Sequence, residues 1–191
     1  MSLTGQRLAQ GTTLLIMLAW PFLIWYGVTH DELRWLLPLM AILMLGRLLL
    51  SSQQRGPLRQ IAPAGALIGV LLCLISLLFT QHQWVLWYPV AVNMIMLAAF
   101  GGSLWRGMPL VERLARLREP DLSPAGVRYT RRVTQVWCGF FILNGAMAAA
   151  TCLVGNMTWW GLWNGMLSYV AMALLMAAEW LVRQRVKKRD A

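Results

Sequence analysis

The chain's only imidazoles are His30 and His82. Imidazole titrates near neutrality, so these are the first candidates for acid–base chemistry or metal binding. His30 adjoins Asp31 and Glu32, and the triplet could hold a metal or a proton, although a short polar turn is equally well served by water. An acyltransferase arrangement, His then four residues then Asp, fails at both sites, because Trp35 and Trp87 stand where the Asp would be. There is no GxSxG and no glycine loop to cradle phosphate. Cys73, Cys138 and Cys152 are odd in number and form no CxxC, so they read as small apolar residues. No metal and no cofactor is expected. A membrane-embedded transferase would have to work through His82 or Glu179.

The densest chemistry is cationic. Between Trp105 and Arg132 lies the one long polar segment, opening with Pro109-Leu-Val-Glu-Arg-Leu-Ala-Arg-Leu-Arg118. Leu110, Val111, Leu114 and Leu117 share one helical face, and Arg113, Arg116 and Arg118 take the other. Pro109 suits a helix start and Pro120 an end. This pattern predicts a basic amphipathic helix lying at a membrane surface. Arg128, Arg131 and Arg132 follow at the mouth of the next apolar run. These six guanidiniums fit anionic lipid, or an acidic cytosolic partner, because each can bind a carboxylate or phosphate bidentately.

Polar residues inside apolar runs form a third group: Asn93, Asn144, Asn164, Ser168 and Tyr169, with Glu179 near the end of the last run. Their default use is hydrogen bonding between helices, and lining a polar cavity is the alternative. Glu179 is placed to pair with Arg183 at i+4, or with Arg131 or Arg132. Gly65 with Gly69, and Gly161 with Gly165, have the GxxxG spacing that lets helices approach closely. Packing within the chain is the expected use, and homodimerisation the other. Pro21, Pro38 and Pro89 should kink three runs. Asn156-Met157-Thr158 fits a glycosylation sequon, a triplet that also arises by chance.

Apolar runs must position these groups. Of 191 residues, 59% are hydrophobic and 13% charged, and mean hydropathy is +0.57. A soluble domain of this size could not hide that much apolar surface. The chain therefore reads as an all-α, polytopic membrane protein, a single membrane domain with six spans near 12–28, 35–50, 61–80, 84–104, 133–154 and 159–182. The cytoplasmic segment is then 105–132. With the N-terminus inside, 16 of the 17 Lys and Arg face the cytoplasm, and only Arg34 faces out. The positive-inside rule thus puts both termini in the cytoplasm. The +10 net charge belongs to the membrane surface rather than to nucleic acid. Trp25, Trp35, Trp84, Trp87, Trp159, Trp160 and Trp163 fall at outer span ends, as in an aromatic belt.

From Trp84 to Arg183 the sequence also resembles a known family. The resemblance rests on Tyr88-Pro89-Val-Ala-Val-Asn93, Phe100-Gly-Gly-Ser103-Leu104 and Glu112-Arg113-Leu-Ala115-Arg116. It continues through Tyr129-x-Arg131-Arg132-Val-Thr134-x-Val-Trp137-Cys138-x-Phe140-Phe141, then Trp163-Asn164-Gly165, Ser168-Tyr169 and Glu179. These elements are similar to small bacterial inner-membrane proteins encoded in aryl-polyene and related fatty-acid-type synthesis clusters. A fainter similarity is to intracellular septation proteins. The resemblance implies a Gram-negative inner membrane and neighbours such as acyl carrier proteins, which are acidic. It assigns catalysis to no residue. The expected role is a non-catalytic accessory protein of lipid biosynthesis at the cytoplasmic face, with the Arg-rich segment as docking surface. A small transporter of a lipid or hydrophobic metabolite is the alternative, its path lined by Asn93, Asn144, Asn164 and Ser168.

Overall fold

A computed structural model describes residues 22–27, 29–30, 33–51, 61–78, 82–105 and 107–190. Among them every regular element is helical. Residues 22–27 are helical, and the rest of the expected first span lies outside the described residues, as does the turn over 52–60. Helix α1 runs over Leu33–Ser51 and α2 over Ile61–Leu78. A 3-10 turn, His82–Trp87, leads into α3, Tyr88–Trp105. A short α4, Leu110–Arg116, precedes the long α5, Pro124–Val154. Then α6, Met157–Leu162, passes through a π turn, Trp163–Leu167, into α7, Ser168–Asp190.

Three stretches are long and apolar enough to cross a membrane: Trp84–Trp105, Pro124–Val154 and Met157–Val186. The shortest has 22 residues, about 33 Å of helix against a hydrocarbon core of about 30 Å. Trp35–Gly46 and Pro63–Leu78 are shorter apolar helices. Ile142 and Leu143, near the middle of α5, are 55% and 70% exposed. Water would penalise that surface, whereas lipid would not, so the outward-facing apolar side chains fit a membrane-embedded helical protein.

The fifth long element starts nine residues earlier than its hydropathy suggests, at Pro124 rather than 133. Capping explains this. Ser123 Oγ accepts from Gly126 N at 3.0 Å, and Pro124 occupies the first turn, where its missing N–H leaves no carbonyl unserved. Arg128, Arg131 and Arg132 therefore stand on a helix and not in a loop. At the far end Gly155 adopts φ 70°, a left-handed cap that favours glycine. Asn156 then caps α6, its Oδ1 accepting from Thr158 N at 3.0 Å and Trp159 N at 3.1 Å. The apparent sequon is thus a helix N-cap.

Two cores hold the bundle. One joins α1, α2, the 3-10 turn and Trp160, with Met40, Met44, Cys73 and Val85 fully buried. The other joins α3, α4 and α5 through Phe100, Leu110 and Phe141, with the rings of Phe100 and Phe141 edge to face at 5.2 Å. The expected aromatic belt is only partly present. Trp25, Trp35, Trp84 and Trp159 are exposed, but Trp160 is 1% exposed and belongs to the core. Successive helical residues point about 100° apart, and here that step turns Trp160 into the core, where its Nε1 donates to Leu86 O, while Trp159 stays outside.

Pro89 differs from the expected kink, because it sits at the start of α3, directly after the 3-10 turn. With no N–H, it cannot serve the carbonyl three residues back, that of Leu86. Two side chains do so instead: Trp160 Nε1 donates at 3.1 Å and Cys152 Sγ at 3.3 Å. Pro38 lies inside α1, and Pro21 lies outside the described residues.

Candidate functional site

The chemistry gathers at one end of the bundle. Ser103 Oγ donates to Phe100 O at 2.6 Å and accepts from Leu110 N at 2.8 Å, which ties the start of α4 to the end of α3. Helix α4 thereby docks its Leu110 and Glu112 side, both buried, against the bundle. The buried carboxylate of Glu112 is answered by Arg116, whose Nε and Nη2 donate to the same oxygen at 2.9 and 2.8 Å. A charge this buried needs such a partner. Arg116 Nη1 also donates to Pro120 O at 2.8 Å, closing the end of the helix. Arg113 Nε donates to Met108 O at 3.0 Å.

The amphipathic pattern is therefore realised with two corrections. The helix ends at Arg116, so Leu117 leaves the apolar face and is 70% exposed. Arg113 and Arg116, expected to point at a partner, hold their own segment together. Arg131 likewise reaches Leu104 O at 3.5 Å. Arg118, Arg128 and Arg132 are exposed, and among the described residues their side chains have no hydrogen bond or ion pair. They are the arginines of this surface still available to a ligand.

Helix α7 closes the same end. Tyr129 Oη donates to the carbonyl of Glu179 at 3.0 Å and lies 3.1 Å from its carboxylate Oε1. An ion pair of Glu179 with Arg183, Arg131 or Arg132 was the sequence-based expectation. Among the described residues Glu112–Arg116 is the only salt bridge, and Glu179 is served by a phenol. Between α4, the Arg118–Ser123 linker, α5 and α7 lies a cavity of about 810 Å³. Its buried part is mainly apolar and aromatic, with Phe100, Val133 and Trp137 beside Thr130, whose hydroxyl is spent on Val127 O, and toward its open side stand exposed Arg118 and Asp121 and half-buried Arg183. The volume falls within the roughly 300–1,000 Å³ usual for small-molecule sites.

Deeper in the bundle the amides sort into two separate groups. Asn144 Nδ2 donates to Asn93 Oδ1 at 3.1 Å, and Asn93 Nδ2 to Pro89 O at 2.8 Å. Asn164 Nδ2 donates to Thr151 Oγ1 at 3.2 Å and to Trp160 O at 3.0 Å, while Ser168 Oγ donates to Asn164 O at 3.4 Å. All four predicted side chains are buried, in two groups that share no hydrogen bond among the described residues. Asn144 Oδ1 and Trp163 Nε1 are buried and have no partner among the described residues. Tyr169 is half-buried.

The glycine pairs also divide. A Cβ on Gly161 would lie 2.5 Å from Trp25 Cδ1, and one on Gly69 would lie 3.2 Å from Met44 and Tyr88 atoms. These two serve close packing within the chain. Gly65 has nothing within 4 Å of such an atom, and Gly165 meets Phe22 only at ordinary contact distance, 3.5 Å. Sequence spacing missed Gly145, where a Cβ would meet Asn93 Cβ at 3.1 Å.

His30 Nδ1 lies 3.1 Å from Tyr26 O, and its ring stacks on Tyr26 at 4.3 Å. That is the role of a helix-end cap. His82 opens the 3-10 turn. Among the described residues no three His, Cys, Asp or Glu cluster as metal ligands. The three cysteines are free thiols. No protein-family model, no curated protein and no solved structure matches the chain.

Proposed function

We propose that this is a six-span bacterial inner-membrane protein with both termini in the cytoplasm. It acts as a non-catalytic accessory protein of aryl-polyene-type or related lipid biosynthesis. The observation that carries the reading is the gathering of charge at one end of the bundle. The described residues of 107–132 and 179–186 hold eight arginines against four carboxylates, and the Tyr129–Glu179 and Arg131–Leu104 contacts bring these segments together. The opposite end, around the Asn156 cap and the 3-10 turn, holds no Lys or Arg in 82–90 or 150–165. The positive-inside rule makes the arginine-rich end cytoplasmic. A cysteine replacing Arg128 should react with a membrane-impermeant maleimide only after the membrane is opened. One replacing Thr29 should react in intact spheroplasts, and the reverse pattern would invert the topology.

At that cytoplasmic face Arg118, Arg128 and Arg132 form the docking surface for an acidic soluble partner of the acyl-carrier type. The lipid assignment itself rests on the sequence resemblance. The transport alternative is the weaker reading because most of the hydrogen-bonding groups of Asn93, Asn144, Asn164 and Ser168 are spent on neighbouring side chains and backbone carbonyls, Asn144 Oδ1 excepted. Deletion of the gene followed by lipid extraction tests the reading. A polyene-type lipid should disappear, return with the wild-type chain, and fail to return with Arg118→Glu, Arg128→Glu and Arg132→Glu combined. An unchanged lipid profile on deletion would sink the proposal. Accumulation of finished lipid in the inner leaflet would replace it with transport.

A further inference from the structure

We infer that the cavity between α4, α5 and α7 binds a single-chain amphiphile with an anionic head, the chain on Phe100, Val133 and Trp137 and the head at Arg118 and Arg183. This goes beyond the accessory role, since it stands on the cavity and shares only Arg118 with the docking surface.

Three features support it. The first is polarity that changes along one space: the buried part is mainly apolar and aromatic, its one buried polar side chain, Thr130, spent on Val127 O, and the charged side chains Arg118, Glu119 and Asp121 are all on the exposed part. A soluble polar metabolite would leave the apolar end wet, and a wholly apolar molecule would leave guanidiniums against hydrocarbon. A molecule apolar at one end and charged at the other matches both ends. The second is position. The cavity lies where the ends of two membrane-length helices, Pro124–Val154 and Met157–Val186, meet the polar segment. An acyl chain can enter there from the bilayer while its head stays at the interface.

The third is charge. Among the described residues, neither the Arg118 nor the Arg183 side chain has a hydrogen bond or ion pair. Guanidinium binds carboxylate and phosphate through paired N–H groups. Three carboxylates also line the cavity, from Glu119, Asp121 and Glu179. Glu119 and Asp121 are exposed and hence screened by water and salt. Glu179 already accepts the Tyr129 hydroxyl. Across this end of the bundle the arginines outnumber the carboxylates two to one, so the wider field favours an anion.

The full-length protein in nanodiscs of zwitterionic lipid, photolabelled with diazirine-bearing chains of one length, provides the test. The probes are palmitate, 1-palmitoyl lysophosphatidate, a neutral monopalmitoylglycerol and a zwitterionic lysophosphatidylethanolamine. Peptides containing Val133 and Trp137 should be labelled by the anionic probes, and the stronger of the two identifies carboxylate or phosphate as the head. Arg118→Glu with Arg183→Glu should reduce that labelling by about tenfold or more, the loss of a charge-assisted contact. Ala115→Trp, which fills the cavity from α4, should abolish it. If either variant fails to fold, competition on the wild-type chain decides, with unlabelled palmitate displacing the probe and monopalmitoylglycerol not doing so. Equal labelling by neutral or zwitterionic probes, or labelling that survives in folded Ala115→Trp, would overturn the assignment. Absence of label at these peptides would do the same. None of these results depends on a cytosolic partner, so the site and the docking surface can fail separately.

Discussion

Trp160→Ala should destabilise the protein by about 3–5 kcal/mol, the range for truncating a fully buried aromatic side chain. Two losses combine. The side chain is 1% exposed and packs in the core that joins α1, α2 and the 3-10 turn. Its Nε1 also supplies the Leu86 carbonyl that Pro89 cannot serve. Trp160→Phe separates the two, because it keeps most of the ring's contact and removes only the donor. It should cost about 1–3 kcal/mol, the desolvation penalty of an unsatisfied buried group, reduced to the extent that Cys152 Sγ remains on the same carbonyl. Trp159→Ala is the control, since that side chain is 60% exposed and its loss should have a minor effect. Unfolding in mixed micelles with rising SDS measures all three. If Trp159→Ala and Trp160→Ala were equally destabilising, Trp160 would be an interfacial anchor and not a core residue.

Gly145→Leu is the second large effect. The α3–α5 seam closes where a Cβ on Gly145 would come 3.1 Å from Asn93 Cβ. A leucine forces the helices apart at that level, and overpacking of this kind costs about 1–3 kcal/mol. The displacement also breaks the Asn144–Asn93 hydrogen bond, for which membrane helices give about 0.6 kcal/mol on average. Gly139→Leu on the same helix has nothing within 4 Å of the added atom. That variant should be neutral or slightly stabilising, because leucine is the better helix former. The same SDS titration reads the difference, and equal midpoints for the two variants would show that the seam is not tight at Gly145.

Hydropathy located the apolar helices because burial in lipid needs long runs with few charges, and that demand is local in sequence. The clustering of arginine at one end was legible for a similar reason, since the positive-inside bias acts on each loop separately. What stayed hidden depends on partners distant in the chain. Tyr129 and Glu179 are 50 residues apart, and nothing near Glu179 announces a phenol; its sequence neighbour Arg183 was the obvious choice and was not the one taken. Trp160 looked like its neighbour Trp159 because belt and core draw on the same residue type, and only helical phase separates them. The Asn156 cap did have a local signal, a Gly-Asn pair between two apolar runs, but the sequon match competed with it. Gly145 has no glycine four residues away, so a search by GxxxG spacing passes over it.

The π turn at Trp163–Leu167 sets the rotational phase of everything that follows it. A π turn holds one residue more than the α-helical path it replaces, and one residue is worth about 100° of rotation. Without it, α7 would leave the Asn164 level turned by that angle, and Glu179 would point away from Tyr129. The wall that Glu179 and Arg183 contribute to the interfacial cavity would turn with it. One supernumerary residue near one end of the bundle thus acts as an indexing step for a site more than two helical turns away at the opposite end.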